Sequence, residues 1–294
     1  MISFDALYDK VRGKNKVISV ALPYGDEVTH ALEDARKEKI ATSILVGDKK
    51  KIESSFKELG IALGPYEIVD VVDEREAALK SVEIVSSGKA DAIMKGKVAT
   101  AVFLKAVLDE TVGLRTASLL SHIAVIESKK MNKTYFFTDS GMNLYPTIDE
   151  KVKIVQNAID FVTKLGIKMP KVAVVSGVEV VNPKIQSTVD AAILAKMAQR
   201  GQIKGAHIDG PFGFDNAVSK EAADIKGITS PVAGDADIIL VPDMVSGNLM
   251  CKAIMYMAEC RFAGIVVGGK KPIILLSRAD DAATKLNSIV LGLS

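Results

Sequence analysis

Short apolar runs that end on a polar or glycine step most tightly limit what this chain can fold into. They read "KVISVALP", "TSILVGD", "YEIVDVVD", "ADAIMKG", "LLSHIAVIES", "TYFFTDS", "KVAVVSG", "ADIILVPD", "GIVVGG" and "PIILLSR". Strands covered on both faces read as near-continuous Val/Ile/Leu runs, whereas half-exposed antiparallel strands alternate. Between the runs lie segments of helical period, such as "EVTHALEDARKEKI", "TAVFLKAVL", "IDEKVKIVQNAIDFVTKLG" and "IQSTVDAAILAKMAQRG". Strands alternating with helices predict an α/β fold, a parallel sheet with helices on both faces. About ten such units exceed one open sheet of usual width, so two doubly wound domains are expected. The polar connection "IESKKMNKTY" is the candidate boundary.

In open α/β sheets, ligands bind outside the carboxyl ends of the strands. The residues that follow each run are therefore the candidate site: Lys95-Gly96, Ser121-His122, Asp139-Ser140-Gly141, Ser176-Gly177, Asp209-Gly210, Asp243 with Ser246, Gly247 and Asn248, Gly268-Gly269, and Ser277-Arg278. Gly247 permits close backbone approach, and the free N–H groups of the helix that begins there favour an anion. A plain N-cap explains Ser246 or Asn248 equally well, at about 1 kcal/mol of stability. Arg278, emerging from a buried strand, calls for an anionic partner or an open cleft.

Composition removes several function classes. The net charge of +2 is too small to imply a nucleic acid or membrane surface as partner, and aromatics are 5% with no Trp, so base-stacking platforms are not expected. No apolar run approaches bilayer length, and the opening "MISFDALYDKVRGKNK" does not read as a secretory signal. Cys251 and Cys260 fall in one predicted helix, on different faces, and read as reduced thiols of a cytoplasmic protein. His30, His122 and His207 lie far apart, so no metal site is expected. Neither G-x-G-x-x-G after the first strand nor a P-loop nor a G-x-S-x-G elbow is present.

The segments "DAIMKGKVAT", "LLSHIAV", "FFTDSGMNLYPT", "SPVAGDADIILVPDMVSGNLMCKAI" and "IILLSRADDAATKLNSI" together resemble the phosphate acetyl/butyryltransferases, and "MKG", "LLSH" and "SRAD" resemble the butyryl branch. The resemblance implies the reaction acyl-CoA + phosphate ⇌ acyl phosphate + CoA. It implies two domains of the isocitrate/isopropylmalate dehydrogenase type with an interdomain active-site cleft, and a homodimer or larger homo-oligomer. The expected domains are 1–127 plus 267–294, and 128–266. CoA enters as substrate, and no tightly bound cofactor is implied.

On this reading the second domain contributes Asp243, Gly247, Asn248 and the stretch from Ser230 to Gly234; Asp139 and Asn143 join the substrate-binding set with Ser121, His122 and Asp209. Lys95, Gly96, Ser277 and Arg278 come from the first domain. Arg278 is expected to stabilise the oxyanion, and Ser277 to orient the thiol or bond the phosphate. The acetyl branch carries its proposed base seven residues after the serine, where this chain has Thr284. Asp280 is the expected base instead, with Asp281, Asp243 and Asp209 as rivals. Lys105 and Arg115 are further candidates for phosphate or CoA. Met94, Leu120, Phe137 and Met142 either line the acyl pocket or pack the core. The alternatives on the same fold are a non-catalytic CoA- or phosphate-binding module and a decarboxylating dehydrogenase.

Overall fold

The computed structural model describes residues 2–277 and 279–294. Its chain is a mixed α/β protein of two compact units, Phe4–Ser118 with Phe262–Ser294, and Leu119–Arg261 with Met1–Ser3. The divisions fall at 118/119 and 261/262, ahead of the expected 127/128 and 266/267.

The unit formed by the two chain ends begins with α1 (Phe4–Val11), β1 (Lys16–Ala21), α2 (Asp26–Lys37), β2 (Ala41–Gly47), α3 (Lys49–Glu58), β3 (Glu67–Asp70), α4 (Glu74–Ser86), β4 (Ala92–Lys95) and α5 (Thr100–Val107). The other unit contains β5 (Ser121–Ser128), β6 (Lys133–Thr138), α6 (Ile148–Leu165), β7 (Lys171–Val175), α7 (Gln186–Gln199), β8 (His207–Phe212), α8 (Phe214–Val218), α9 (Lys220–Ile225), β9 (Ile238–Leu240) and α10 (Met244–Met257). The chain then runs through β10 (Cys260–Val267), β11 (Ile273–Ile274) and α11 (Ala282–Leu293).

In the first of these units the strand order is β3-β2-β1-β4-β11-β10. All neighbours are parallel except β10 and β11, which are antiparallel. Ile18, Val20, Ala92, Ile93 and Met94 are fully buried, as the continuous apolar runs require. Aspartates start three of the helices: Asp48 for α3, Asp73 for α4 and Asp281 for α11. Each accepts backbone N–H groups that would otherwise lack partners, at about 1 kcal/mol per cap. After β1 the chain builds β2 and β3 on one side, then crosses to β4 on the other. That reversal is a switch point, where a sheet opens a crevice at its carboxyl ends.

The other unit has the order β5-β6-β9-β7-β8. Its core includes Phe136, Phe137, Ile154, Val172 and Leu240. Thr147 and Glu150 form a reciprocal capping box at the start of α6. A buried Lys151–Asp190 pair at 2.6 Å joins α6 to α7.

Three local expectations are corrected. The sheet is not wholly parallel: β5 and β6 form an antiparallel hairpin, because the connection between them is too short for a crossover helix. The helix predicted through both cysteines ends at Met257, and Cys260 opens β10. Ladder pairing of the run "CRFAGIVV" overrides its helical reading. The strand predicted through "PIILLSR" pairs only at Ile273–Ile274, so Ser277 lies on an irregular segment. Among the described residues, no helix is long and apolar enough to cross a membrane.

Candidate active site

At the β1/β4 switch point lies a cavity of about 170 Å³. Its lining includes Tyr24, Glu27, Lys95, Lys97, Ser277 and Lys285. The loop after β4 is fixed by backbone bonds from Gly96 N–H to Ala21 O (2.9 Å) and from Lys97 N–H to Leu22 O (2.8 Å). A Cβ at Gly96 would overlap the Leu22 and Ala21 carbonyl oxygens, so glycine is required by close approach. The buried Lys95 donates from Nζ to Gly96 O and Val98 O, each at 3.2 Å. Gly25, which starts α2, also lines the cavity, so unpaired N–H groups of that helix add to the lysine charge. Three lysines and one glutamate line the space, and an anion is the ligand class they fit.

Ser277 enters from the segment after β11. Its N–H donates to Asp280 Oδ2 at 2.9 Å, and Lys285 Nζ donates to the Asp280 carbonyl oxygen. Asp281 accepts from Thr284 N–H at 2.7 Å as the cap of α11. Burial pushes the Lys285 pKa down, against the pull of Asp280, Glu27 and Asp281. Arg278, the expected oxyanion partner, lies outside the described residues. Lys285, Lys97 and Tyr24 were missed by strand-end reasoning. Lys285 lies in α11, whose residues from Thr284 to Gly292 are all buried.

A second group gathers after β6 in the other unit. Asp139 accepts from the N–H groups of Gly141 (2.9 Å), Met142 (2.9 Å) and Asn143 (3.2 Å), and from Asn143 Nδ2 (2.5 Å). Asn143 Nδ2 also donates to Leu120 O at 2.9 Å. The antiparallel hairpin brings the start of β5 alongside, where His122 Nδ1 and Ser140 Oγ are 2.9 Å apart. Burial pushes the His122 pKa down, with the Asp139 charge opposing, so the ring is neutral at pH 7. Asn248 Nδ2 donates to Ser140 O at 3.2 Å. Asp243 caps α10 by accepting from Ser246 N–H at 2.8 Å. Gly247 is buried beside Val241 and the Asp139–Ser140 backbone. Cys251 is pushed up to about 12, first by burial, so it remains a thiol and offers no nucleophile.

Other expected members stand apart. Ser121 is buried, with its Oγ accepting from Asn157 Nδ2 at 3.0 Å, which gives it a packing role. Asp209 does not follow a strand but lies inside β8, level with Ala173, Ile239 and Phe137 in register. Its Oδ1 accepts from Gly210 N–H at 2.8 Å. Pro231 and Val232 share a cavity of about 210 Å³ with His207 and Asp209. Ser230 Oγ accepts from Val232 N–H at 3.2 Å. Gly234 has φ +73° and lies against the Lys220 backbone, so it is glycine for a structural reason. The next residue, Asp235, pairs with Lys133 and Lys171, the first residues of β6 and β7. That anchors Gly234 beside the amino ends of β6 and β7, whereas Asp139 follows the carboxyl end of β6. Lys105 lines a mostly apolar cavity of about 380 Å³ between α4 and α5, which shares no lining residue with the lysine cavity. Arg115 is exposed, 3.9 Å from Glu110. Met94, Leu120 and Phe137 are buried, and Met142 is half-buried. Among the described residues no group of three or more His, Cys, Asp or Glu is placed to hold a metal ion.

Chains of known kind resemble this one over nearly its whole length. A phosphate butyryltransferase of Clostridium acetobutylicum is 47% identical over 99% of this chain and 97% of the relative. A phosphate acetyltransferase of Thermotoga maritima is 42% identical over 98% of both. Among solved structures, a branched-chain phosphotransacylase from Enterococcus faecalis has a TM-score of 0.85 at 31% identity, covering 95% of this chain and 98% of the other. The phosphate acetyl/butaryl transferase family matches residues 72–293. With that match and those identities, the chain belongs to the phosphate acetyl/butaryl transferase family.

Proposed function

We propose that this chain catalyses acyl-CoA + phosphate ⇌ acyl phosphate + CoA on a short-chain acyl group, butyryl or branched before acetyl. The observation that carries the reading is near-full-length identity to a phosphate butyryltransferase, joined to a lysine-lined cavity at a strand switch point. The two-domain isocitrate/isopropylmalate dehydrogenase type of fold is part of this proposal, supported by the strand order β3-β2-β1-β4.

The cavity at β1/β4 takes phosphate or the phosphoryl end of the acyl phosphate. Lys95 and Lys97 neutralise its charge, and Gly96 leaves room at the loop. Coenzyme A is substrate, and its thiolate attacks the acyl carbon directly, with no covalent enzyme intermediate. Arg278 stabilises the oxyanion as the tetrahedral intermediate forms. Ser277 bonds the phosphate. Asp280 already accepts from the Ser277 N–H, so we assign it the positioning of Ser277 rather than the proton transfer expected from sequence. Asp139, Asn143, His122, Asp243, Gly247 and Asn248 keep a substrate-binding role in this reading, through loops that their hydrogen bonds hold in shape.

A cytoplasmic, self-associating enzyme completes the proposal. Self-association is supported by α10: of fourteen residues only Gly247 and Cys251 are buried, while Leu249 is 66% and Met257 87% exposed. An apolar helix face of that kind marks an association surface.

The deciding experiment follows thiol release from acetyl-, propionyl-, butyryl- and isobutyryl-CoA with added phosphate. Release that needs phosphate and is fastest with a four-carbon substrate is the expected result. Absence of phosphate-dependent release from every substrate would end the reading.

A further inference from the structure

The proposed reaction moves a proton as well as an acyl group. A free thiol has a pKa of about 8.5 and must lose its proton to attack well. The phosphate that departs as a trianion must gain one. Thr284, at the position where the acetyl branch is expected to carry a carboxylate, has no acid–base chemistry at neutral pH. Asp280 is held by the Ser277 N–H. The next residue along α11 is Lys285, only 4% exposed, which lines the same cavity as Ser277, Lys95 and Lys97. Its Nζ is oriented by donation to the Asp280 carbonyl oxygen, on the turn that presents Ser277.

We propose that Lys285 carries the proton of the acyl exchange, from the thiol of CoA to the leaving phosphate oxygen. The inference rests on the reaction read above. As a neutral amine, Lys285 accepts the thiol proton. The sulfur electron pair forms the S–C bond, the C–O bond to phosphate breaks, and that electron pair leaves with the phosphate. The lysine ammonium then gives its proton to the phosphate oxygen, so HPO₄²⁻ departs and the amine is restored. The reverse reaction uses the same amine in the opposite order. No oxidant, reductant or further reactant is needed.

The surroundings suit an amine that cycles its proton. Burial favours the neutral form. Desolvation is a means by which lysines become nucleophiles and bases. Glu27 on α2 and Asp280 and Asp281 before α11 pull the other way. Tyr24 is on the lining, Arg278 lies outside the described residues, and α1 meets α11 elsewhere, where Tyr8 donates to Asn287 at 3.1 Å.

Lys285→Arg separates this role from plain anion binding, since arginine supplies a permanent positive charge but does not release a proton near neutral pH. Wild-type protein is assayed first, because loss of phosphate-dependent thiol release there defeats the underlying reaction and not Lys285 alone. Given an active wild type, Lys285→Arg should lower kcat by about 10²–10⁴-fold, with KM for phosphate changed by less than about threefold. The wild-type pH limb assigned to the base should vanish. Lys285→Ala should recover rate in proportion to added free-base methylamine. Thermal melting of each variant reports folding, and Lys285→Arg decides the matter if Lys285→Ala does not fold. Lys285→Arg activity within about threefold of wild type, or an unchanged pH limb in that variant, overturns the proposal.

Discussion

The loops after β4 and β6 both close a buried strand with charged residues, and they use charge in opposite ways. After β4, Lys95 donates to two backbone carbonyls, and Lys285 from α11 donates to a third. Both lysines line the cavity, and the carbonyls fix the direction of each side chain. After β6, Asp139 uses both oxygens on backbone N–H groups and on Asn143. That carboxylate holds its own loop in shape. A charged residue at a strand end is therefore a poor guide to chemistry until its hydrogen-bond partners are known.

The contrast breaks most sharply if Lys95→Met is harmless. Loss of an oriented donor at a developing anion should lower kcat/KM for phosphate by about 10²–10³-fold, whereas a melting change with normal kinetics would make Lys95 structural. Gly96→Ala should destabilise by about 3 kcal/mol in denaturant unfolding, because rigid backbone carbonyls stand where the methyl would go. Asp139→Ala should cost about 2–3 kcal/mol by leaving several loop N–H groups without an acceptor. Full stability in that variant would show that water replaces the carboxylate. Gly247→Ala should cost about 1–2 kcal/mol, since a buried Val241 methyl and the Asp139–Ser140 backbone crowd the added methyl.

The smallest effect concerns His122. Its folded pKa lies below the ordinary 6.5. Below pH 6.5 the unfolded chain takes up a proton that the folded chain refuses, so this residue makes stability fall with pH until the folded pKa is passed. Melting curves between pH 7.5 and 5 should show the loss, and His122→Gln should flatten it. An unchanged slope would place the acid sensitivity elsewhere.

Much of the candidate site is legible in the sequence. Lys95, Gly96 and Ser277 read as strand-end residues, and all three line one cavity. Asp139, Asp243, Gly247 and Asn248 stand out by the same reasoning. Hydrogen bonds join Asp139 to Asn143 and Asn248 to Ser140, while Gly247 packs on the Asp139–Ser140 backbone. Asp209 misleads because "HIDGP" ends on Gly-Pro, which looks like a strand end, while pairing with β7 continues to Phe212. Ser230 and Gly234 enter through the family resemblance, and the loop that holds them precedes β9, so it leads to the amino end of that strand. Lys285 escapes notice because a lysine in a helix is usually solvent-facing.

The order of apolar runs and helical segments determined by itself that this is an α/β chain, because burial on both faces demands continuous apolar strands. Its motifs determined the family. Strand order and partner choice were decided only in three dimensions: which strand pairs with which, whether a carboxylate meets an N–H or a substrate, and whether a lysine is buried. Those outcomes depend on residues tens to hundreds of positions apart competing for the same neighbours, and no local pattern records who wins.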